Sequence, residues 1–172
     1  MPKSSWAAVD ISNDLIVAKE LVFDPLGFEC TNLVAEKESS EYGAFSFQLD
    51  KLSIKFRTAK ITPTKVGQFV VLWKRIGKGP IQPFDASDLD FAIISVRDKK
   101  RFGQFIFPKS ALIKHGVLTA GKKEGKRAIR VYPPWDKVDS KQALKTQAWQ
   151  LKFFLDVSST NGAELRKSLL FK

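Results

Sequence analysis

The sequence predicts an α+β domain built on a mixed, mostly antiparallel central sheet flanked by helices. Over residues 45–49 and again over 52–56, apolar residues alternate with polar ones, and the phase switches at Asp50 and Lys51. That switch is typical of a tight hairpin whose two strands keep their apolar sides on one core. Runs of strands followed by helix, strand and helix indicate an α+β fold. The length of 172 residues predicts a single domain over 1–172.

The other elements follow from spacing and from residues that begin or end regular structure. Asn13 or Asp14 can cap a helix that runs to about Phe23. Pro108 suits the start of a short helix, which Gly116 ends. Largely apolar stretches predict further strands over 67–75, 89–96, 104–108 and 127–135.

A longer helix is predicted near the C-terminus. Asp139 or Ser140 can cap it, and helical spacing carries it to about Asp156. A further short helix is expected after Ser159 or Thr160. The apolar stripe that would face the core consists of Leu144, Ala148, Leu151 and Leu155.

Charge is distributed very unevenly along the chain. The net charge is +11, yet residues 1–50 hold three Lys or Arg against nine Asp or Glu. Residues 51–130 hold nineteen Lys or Arg against five acids, and 131–172 hold seven against four. The middle of the chain therefore carries more than the whole excess, which favours a polyanionic partner there.

Composition argues against several other classes. No stretch of about 18 uncharged apolar residues predicts a membrane span, and the N-terminus lacks the apolar core of a secretory signal. Cys30 is the single cysteine, so no internal disulfide can form. With His115 as the single histidine, a structural zinc site is not expected. We therefore predict a cytoplasmic protein without a resident metal or other cofactor.

Two clusters of cations are the candidate nucleic-acid contacts. Lys and Arg side chains can bind phosphates, Thr hydroxyls can donate hydrogen bonds to them, and aromatic rings can stack on bases. The first cluster comprises Arg57, Lys60, Thr62, Thr64, Lys65, Lys74 and Arg75. The second comprises Lys126, Arg127, Arg130, Tyr132 and Trp135.

Several long motifs resemble the MepB family of bacterial proteins. They are RTAKITPTKVGQFVVLWKR, PIQPFDASDLDF, GQFIFPKSAL, GKRAIRVYPPWD and TQAWQLKFF, which span residues 57–154. The resemblance implies a core similar to that of PD-(D/E)xK restriction endonucleases, with the element order α-β-β-β-α-β. On this interpretation the core extends from 10–23 through 132, and the hairpin 45–57 is an addition to it.

The same resemblance implies where catalytic residues would lie. In active enzymes of that fold an Asp opens the second core strand, and an acid and a Lys two residues apart lie on the third. Asp90, with Asp88 before it, is the candidate on the second strand. On the third, Gln104 takes the place of the acid and Ile106 that of the lysine. Because Mg²⁺ usually needs one or two carboxylates and Ile cannot replace a lysine, the site would be catalytically degenerate.

Three hypotheses remain open from the sequence. The first is a DNA- or other nucleic-acid-binding protein with phosphate-dominated binding and weak sequence preference. The second is a Mg²⁺- or Mn²⁺-dependent nuclease whose lysine has migrated, to Lys60 or Lys65. The third is a small-molecule-responsive accessory protein of a multidrug efflux system, because the family is named for a gene beside such a pump.

Overall fold

The computed structural model describes residues 11–157. Its helices are α1 (Asn13–Ala18), which continues as a π-helical turn over Lys19–Phe23, α2 (Lys109–Lys114) and α3 (Lys141–Gln150). Short 3₁₀ segments cover Lys37–Tyr42 and Leu151–Phe153. The strands are β1 (Cys30–Ala35), β2 (Phe45–Leu49), β3 (Leu52–Thr58), β4 (Lys60–Ile61), β5 (Gln68–Val71), β6 (Trp73–Arg75), β7 (Ile81–Pro83), β8 (Phe91–Asp98), β9 (Arg101–Pro108), β10 (Ala128–Val131) and β11 (Phe154–Asp156).

The main sheet has six strands in the order β1-β2-β3-β8-β9-β11. Only β3 and β8 are parallel, and every other neighbouring pair is antiparallel. The predicted mixed, mostly antiparallel sheet is therefore confirmed. The predicted hairpin is present as β2 and β3, with Leu49 opposite Leu52. However, it lies inside the main sheet between β1 and β8, so the interpretation of residues 45–57 as an addition to the core was wrong.

Two apolar cores lie on the two faces of this sheet. On one face Leu15 of α1 and Phe23 of the π-helical turn pack with Phe47, Ile54 and Ile106 of the sheet. On the other face a three-stranded sheet, β10-β5-β4, packs together with α2 over β8 and β9. Helices thus flank the sheet as expected, but a second small sheet provides much of the cover on the second face.

Two predicted elements differ from the structure. The strand predicted over 67–75 is divided at Leu72, since β5 pairs with β10 whereas β6 pairs with β7 in a separate two-stranded sheet. The helix predicted to reach Asp156 ends at Gln150, because the chain then turns into β11 and pairs with β9. Leu144, expected in the core stripe, is 50% exposed. The helix expected after Ser159 or Thr160 lies outside the described residues.

Candidate nucleic-acid interface

A concave groove of about 570 Å³ lies between β10, α3 and the segment that precedes β5. We call it the basic groove. Its cations are Lys65, Lys126, Arg130 and Lys145, and its rings are Tyr132, Trp149 and His115. The remaining lining is mixed, with apolar Val117, Ala128, Ile129 and Ala143 beside polar Ser140, Gln142, Thr146 and Gln150. The fold therefore brings residues distant in sequence to one concave surface.

The charge of the basic groove is unbalanced. None of the described residues that line it is an Asp or a Glu. Its four cations also make no ion pair with a carboxylate in the described part of the chain. Cations grouped in a cleft with no counter-charge focus a positive potential, which attracts anions.

Arg130 is held in the groove by neutral acceptors. Its Nη1 donates to Thr62 Oγ1 at 2.9 Å, to Gly67 O at 3.2 Å and to Val66 O at 3.3 Å. Because these partners are uncharged, they fix the guanidinium without neutralising it. Thr62, predicted to donate to a phosphate, accepts this hydrogen bond from Arg130 and donates its own to Lys65 O at 3.3 Å.

Tyr132 is positioned by its backbone and by a glycine. Gln150 Oε1 accepts a hydrogen bond from Tyr132 N at 2.8 Å, and Gln150 Nε2 donates to Arg130 O at 3.0 Å. Gln150 is itself buried, so these two bonds join the end of α3 to β10. The Tyr132 ring lies over Gly67, where a Cβ atom would be 2.7 Å from the ring. Only a glycine allows the ring to approach the backbone this closely.

The N-terminal end of α3 opens onto the same groove. Ser140 caps the helix by accepting a hydrogen bond from Ala143 N at 3.1 Å, as one of the two predicted caps would. The first turn of a helix carries backbone N–H groups without helical partners and the positive end of the helix dipole. This end therefore adds to the positive potential provided by the side chains.

A column of aromatic rings ends in the groove. Phe107 and Trp149 have ring centroids 5.2 Å apart, and His115 stacks on Trp149 at 4.0 Å with an angle of 5° between the planes. Burial lowers the pKa of His115, and the charges of Lys114 and Lys152 lower it further. The imidazole is therefore mainly neutral at pH 7. The sequence assigned no role to His115 because its stacking partner lies far along the chain.

Several predicted phosphate contacts are engaged elsewhere. Arg57 is fully buried and ion-paired with Glu36, so its assignment to a phosphate-binding surface is corrected. The remaining predicted cations outside the groove have carboxylate partners, in the pairs Lys60–Glu41, Lys74–Asp85, Lys74–Asp88, Arg75–Glu38 and Arg127–Glu124. The predicted first cluster is thus largely neutralised, and Lys65 is its one cation in the groove.

The other two predicted contacts lie outside the groove. Trp135 is partly buried against the second core, its ring meets Phe154 edge-on at 5.8 Å, and Arg101 lies over its face. It therefore has a packing role in the free protein. Thr64 is exposed in the turn before β5 and does not line the groove.

The predicted catalytic residues do not converge. Asp90 Oδ2 accepts a hydrogen bond from Ser53 N at 2.8 Å, and its Oδ1 lies 3.5 Å from Lys109 Nζ. Gln104 lies opposite Ser95 of β8, which is five residues beyond Asp90. At the rise of a β-strand, this places Asp90 and Gln104 about 16 Å apart. The odd spacing also places them on opposite faces of the sheet. Asp88 belongs to a turn, where it accepts hydrogen bonds from Lys74 Nζ and Asp85 N.

A different acid–base cluster does assemble on the sheet. Glu36, Ser46, Lys55 and Arg57 meet beside a second cavity of about 400 Å³. Lys55 Nζ lies 3.2 Å from Glu36 Oε1 and donates to Ser46 Oγ at 2.8 Å. Burial would raise the pKa of Glu36, but Arg57, Lys55 and the Ser46 hydroxyl together lower it. The carboxylate is therefore ionised and already held by two cations.

The sequence contained a partial signal for this cluster. Lys55 and Arg57 alternate with apolar residues on β3, which indicates one polar strand face. No local pattern indicated that Glu36, which follows β1, would neutralise both cations.

The described residues hold no group of three His, Cys, Asp or Glu side chains that could bind a metal ion. They also contain no helix of the length and apolarity needed to cross a bilayer.

Comparison with known proteins identifies relatives of the chain. Residues 36–156 match the family model described as MepB-like. The crystal structure of MepB is 34% identical, with a TM-score of 0.75, and the match covers 87% of this chain and 100% of that one. The structure of a bacterial homing endonuclease, I-Ssp6803I, is 17% identical with a TM-score of 0.44 and covers 81% and 92%. A search of curated proteins gives no match.

Proposed function

The chain belongs to the MepB-like family, and from that premise we propose that it binds nucleic acid through the basic groove. The observation that supports this most strongly is the set of four cations that line one cleft, since the described residues of its lining include no Asp or Glu. A surface that served solubility alone would intersperse charges of both signs, as the Lys74 and Arg75 regions do.

Phosphate contacts would dominate the affinity. Lys65, Lys126 and Lys145 are exposed, so each can reach a backbone phosphate and release a condensed counterion. Arg130 is fixed by neutral acceptors and can present its remaining donors to a phosphate in a fork. None of these groups is arranged to distinguish one base from another, which favours weak sequence preference.

The test is a binding titration of a labelled oligonucleotide at increasing salt. We expect the affinity to fall steeply with salt and Lys126→Ala to reduce the log–log slope by about 0.7 to 0.9. The matched control is Lys78→Ala, which removes the same charge from an exposed turn outside the groove. Affinity that is insensitive to salt, or equal losses in both variants, would count against binding at the groove.

We also propose that the sheet is a catalytically degenerate nuclease-like core. The order α1, β1, β2, β3 agrees with the first four elements of the restriction-endonuclease core that the family resemblance implies. On the third strand Lys55 is present, but Ser53 stands two residues before it where an acid would be expected. Two described carboxylates line the adjacent cavity, and both are already paired: Glu36 with Lys55 and Arg57, and Glu38 with Arg75. That leaves too little negative charge for Mg²⁺.

The alternative is a metal-dependent nuclease at the same cluster. The contact between Lys55 and Glu36 is the observation that favours it, with Lys55 as the candidate lysine rather than Lys60 or Lys65. Incubation of labelled DNA with Mg²⁺ or Mn²⁺ separates the two proposals. We expect no cleavage above a protein-free control. Cleavage that disappears in both Glu36→Gln and Lys55→Ala would establish the alternative.

A further inference from the structure

We propose that the basic groove binds an unpaired nucleotide of a single strand, whose base continues the ring column at His115 while its phosphates contact the groove cations. This inference rests on the proposed function and specifies the form of nucleic acid that the groove selects. It follows from the shape of the groove, from its apolar lining and from where the column ends.

The lining is more apolar than a phosphate site requires. The partly exposed Ala128, Tyr132 and Trp149 form part of it, and the buried Val117 and Ile129 border it. A duplex keeps its bases paired and stacked inside, so it would present only phosphate and sugar to these side chains. A single strand has unstacked bases with exposed faces, and these gain by contact with apolar and aromatic surface.

The column provides a defined position for a base. The rings follow one another in the order Phe107, Trp149 and His115, and His115 lies parallel to Trp149. Both His115 and Trp149 line the groove. His115 is partly exposed, whereas Phe107 is fully buried and its ring stacks on that of Phe105 at 5.4 Å. A planar base can therefore be added only at the His115 end. Since the imidazole is mainly neutral at pH 7, a base can stack on it without burying a charge.

The size and charge of the groove suit a nucleotide. A cavity of about 570 Å³ falls within the range of small-ligand pockets, roughly 300–1,000 Å³. Lys126, Arg130 and Lys145 line the same cavity as His115. A base against His115 thus places its own or a neighbouring phosphate among these cations and the first turn of α3.

The decisive comparison uses three ligands at one ionic strength: a labelled single strand, its duplex, and a strand of equal length and charge that carries abasic sites. We expect the single strand to bind at least about five-fold more tightly than the abasic strand, the lower bound for one stacked base. The duplex should bind more weakly than the single strand. Equal affinity for the intact and abasic strands would overturn the inference, and so would duplex binding as tight as that of the strand.

Two substitutions assign the preference to the column. His115→Ala should remove most of the difference between intact and abasic strands, whereas His115→Phe should retain it because a ring remains. Melting temperatures of both variants verify folding. A preference unchanged in His115→Ala would overturn the role of the column. If none of the three ligands binds in a salt-dependent manner, the proposed function itself fails. If all three bind with equal affinity and a steep salt dependence, the proposed function stands and only this inference fails.

Discussion

Arg57 is fully buried and depends on one carboxylate for its charge balance. Glu36 neutralises it, while Phe56 O and Val71 O accept hydrogen bonds from other guanidinium nitrogens. A buried charge is tolerated only when it is paired and hydrogen-bonded. In the groove the situation is reversed, because Lys65, Lys126 and Lys145 are exposed and their charge remains available to a partner. Burial therefore decides whether a cationic side chain stabilises the fold or is available to bind a partner.

Glu36→Gln should destabilise the protein markedly. The substitution leaves the Arg57 guanidinium buried without an opposite charge, and we expect the free energy of unfolding to fall by about 2–4 kcal/mol. Chemical denaturation measures it. Glu38→Gln is the control, since its partner Arg75 is partly exposed and such pairs contribute about 1 kcal/mol or less. Equal losses in the two variants would contradict a structural role for the Glu36–Arg57 pair.

The same pair predicts a pH dependence of stability. Because the pKa of Glu36 is lowered on folding, its contribution is complete above the unfolded value near 4.5 and is lost as the pH falls through the folded value. The difference in unfolding free energy between wild type and Glu36→Gln should therefore narrow on going from about pH 6 to about pH 3. Denaturation curves at each pH measure this difference. A gap that stays constant would show that the carboxylate charge is not the source of the stability.

At the scale of elements, the sequence predicted a helix or strand correctly where the pattern that defines it lies within one short segment. The β2–β3 hairpin was predicted because both its strands and the change of phase lie within 45–56. Strand β1 was not predicted, since a bulge between Thr31 and Val34 interrupts its alternation and Asn32 has a φ of +55°. Strand β11 was interpreted as helix because its pairing with β9 is a tertiary contact that spacing does not encode.

Gly67→Ala tests how β5 and β10 position Tyr132. A Cβ atom at Gly67 would lie 2.7 Å from the Tyr132 ring, and the backbone has a φ of +87°. We expect a loss of about 2 kcal/mol or more in unfolding free energy and weaker nucleic-acid binding, because the ring must move. Gly77→Ala is the matched control, as Gly77 has a φ of +57° but open space around it. Equal destabilisation by both would mean that φ, not the ring contact, sets the cost.

Ser140 allows the helix cap and the groove charge to be separated. Ser140→Ala should lower the unfolding free energy by about 1 kcal/mol, because the bond from Ala143 N is lost. Ser140→Asp should retain the cap and the stability but introduce a negative charge beside the groove. We therefore expect the Asp variant, with a normal melting temperature, to bind nucleic acid more weakly than wild type. Undiminished affinity of this variant would argue that the ligand binds elsewhere.

For the whole molecule, the excess of mid-chain cations predicted a polyanionic partner, which stays a prediction, but it did not indicate which of those cations meet in the groove. Of the seven residues in the first cluster, Lys65 alone lines the groove. Acids from the N-terminal third pair with Arg57, Lys60 and Arg75, and Asp85 and Asp88 pair with Lys74. Of the second cluster, three line it: Lys126, Arg130 and Tyr132. Lys145 was missed because helical spacing alone does not show that α3 docks beside β10. Pairing between distant segments is what the sequence left open.

The most direct test of the central claim compares two triple variants of equal net charge. One replaces Lys65, Lys126 and Lys145 in the groove with Ala, and the other replaces the exposed Lys51, Lys78 and Lys100 outside it. The measurement is the dependence of log affinity for an oligonucleotide on log salt. We predict that the groove variant loses about 2 to 3 from the magnitude of the slope while the control stays close to wild type. Equal reductions in both variants would show that binding follows net charge rather than the groove.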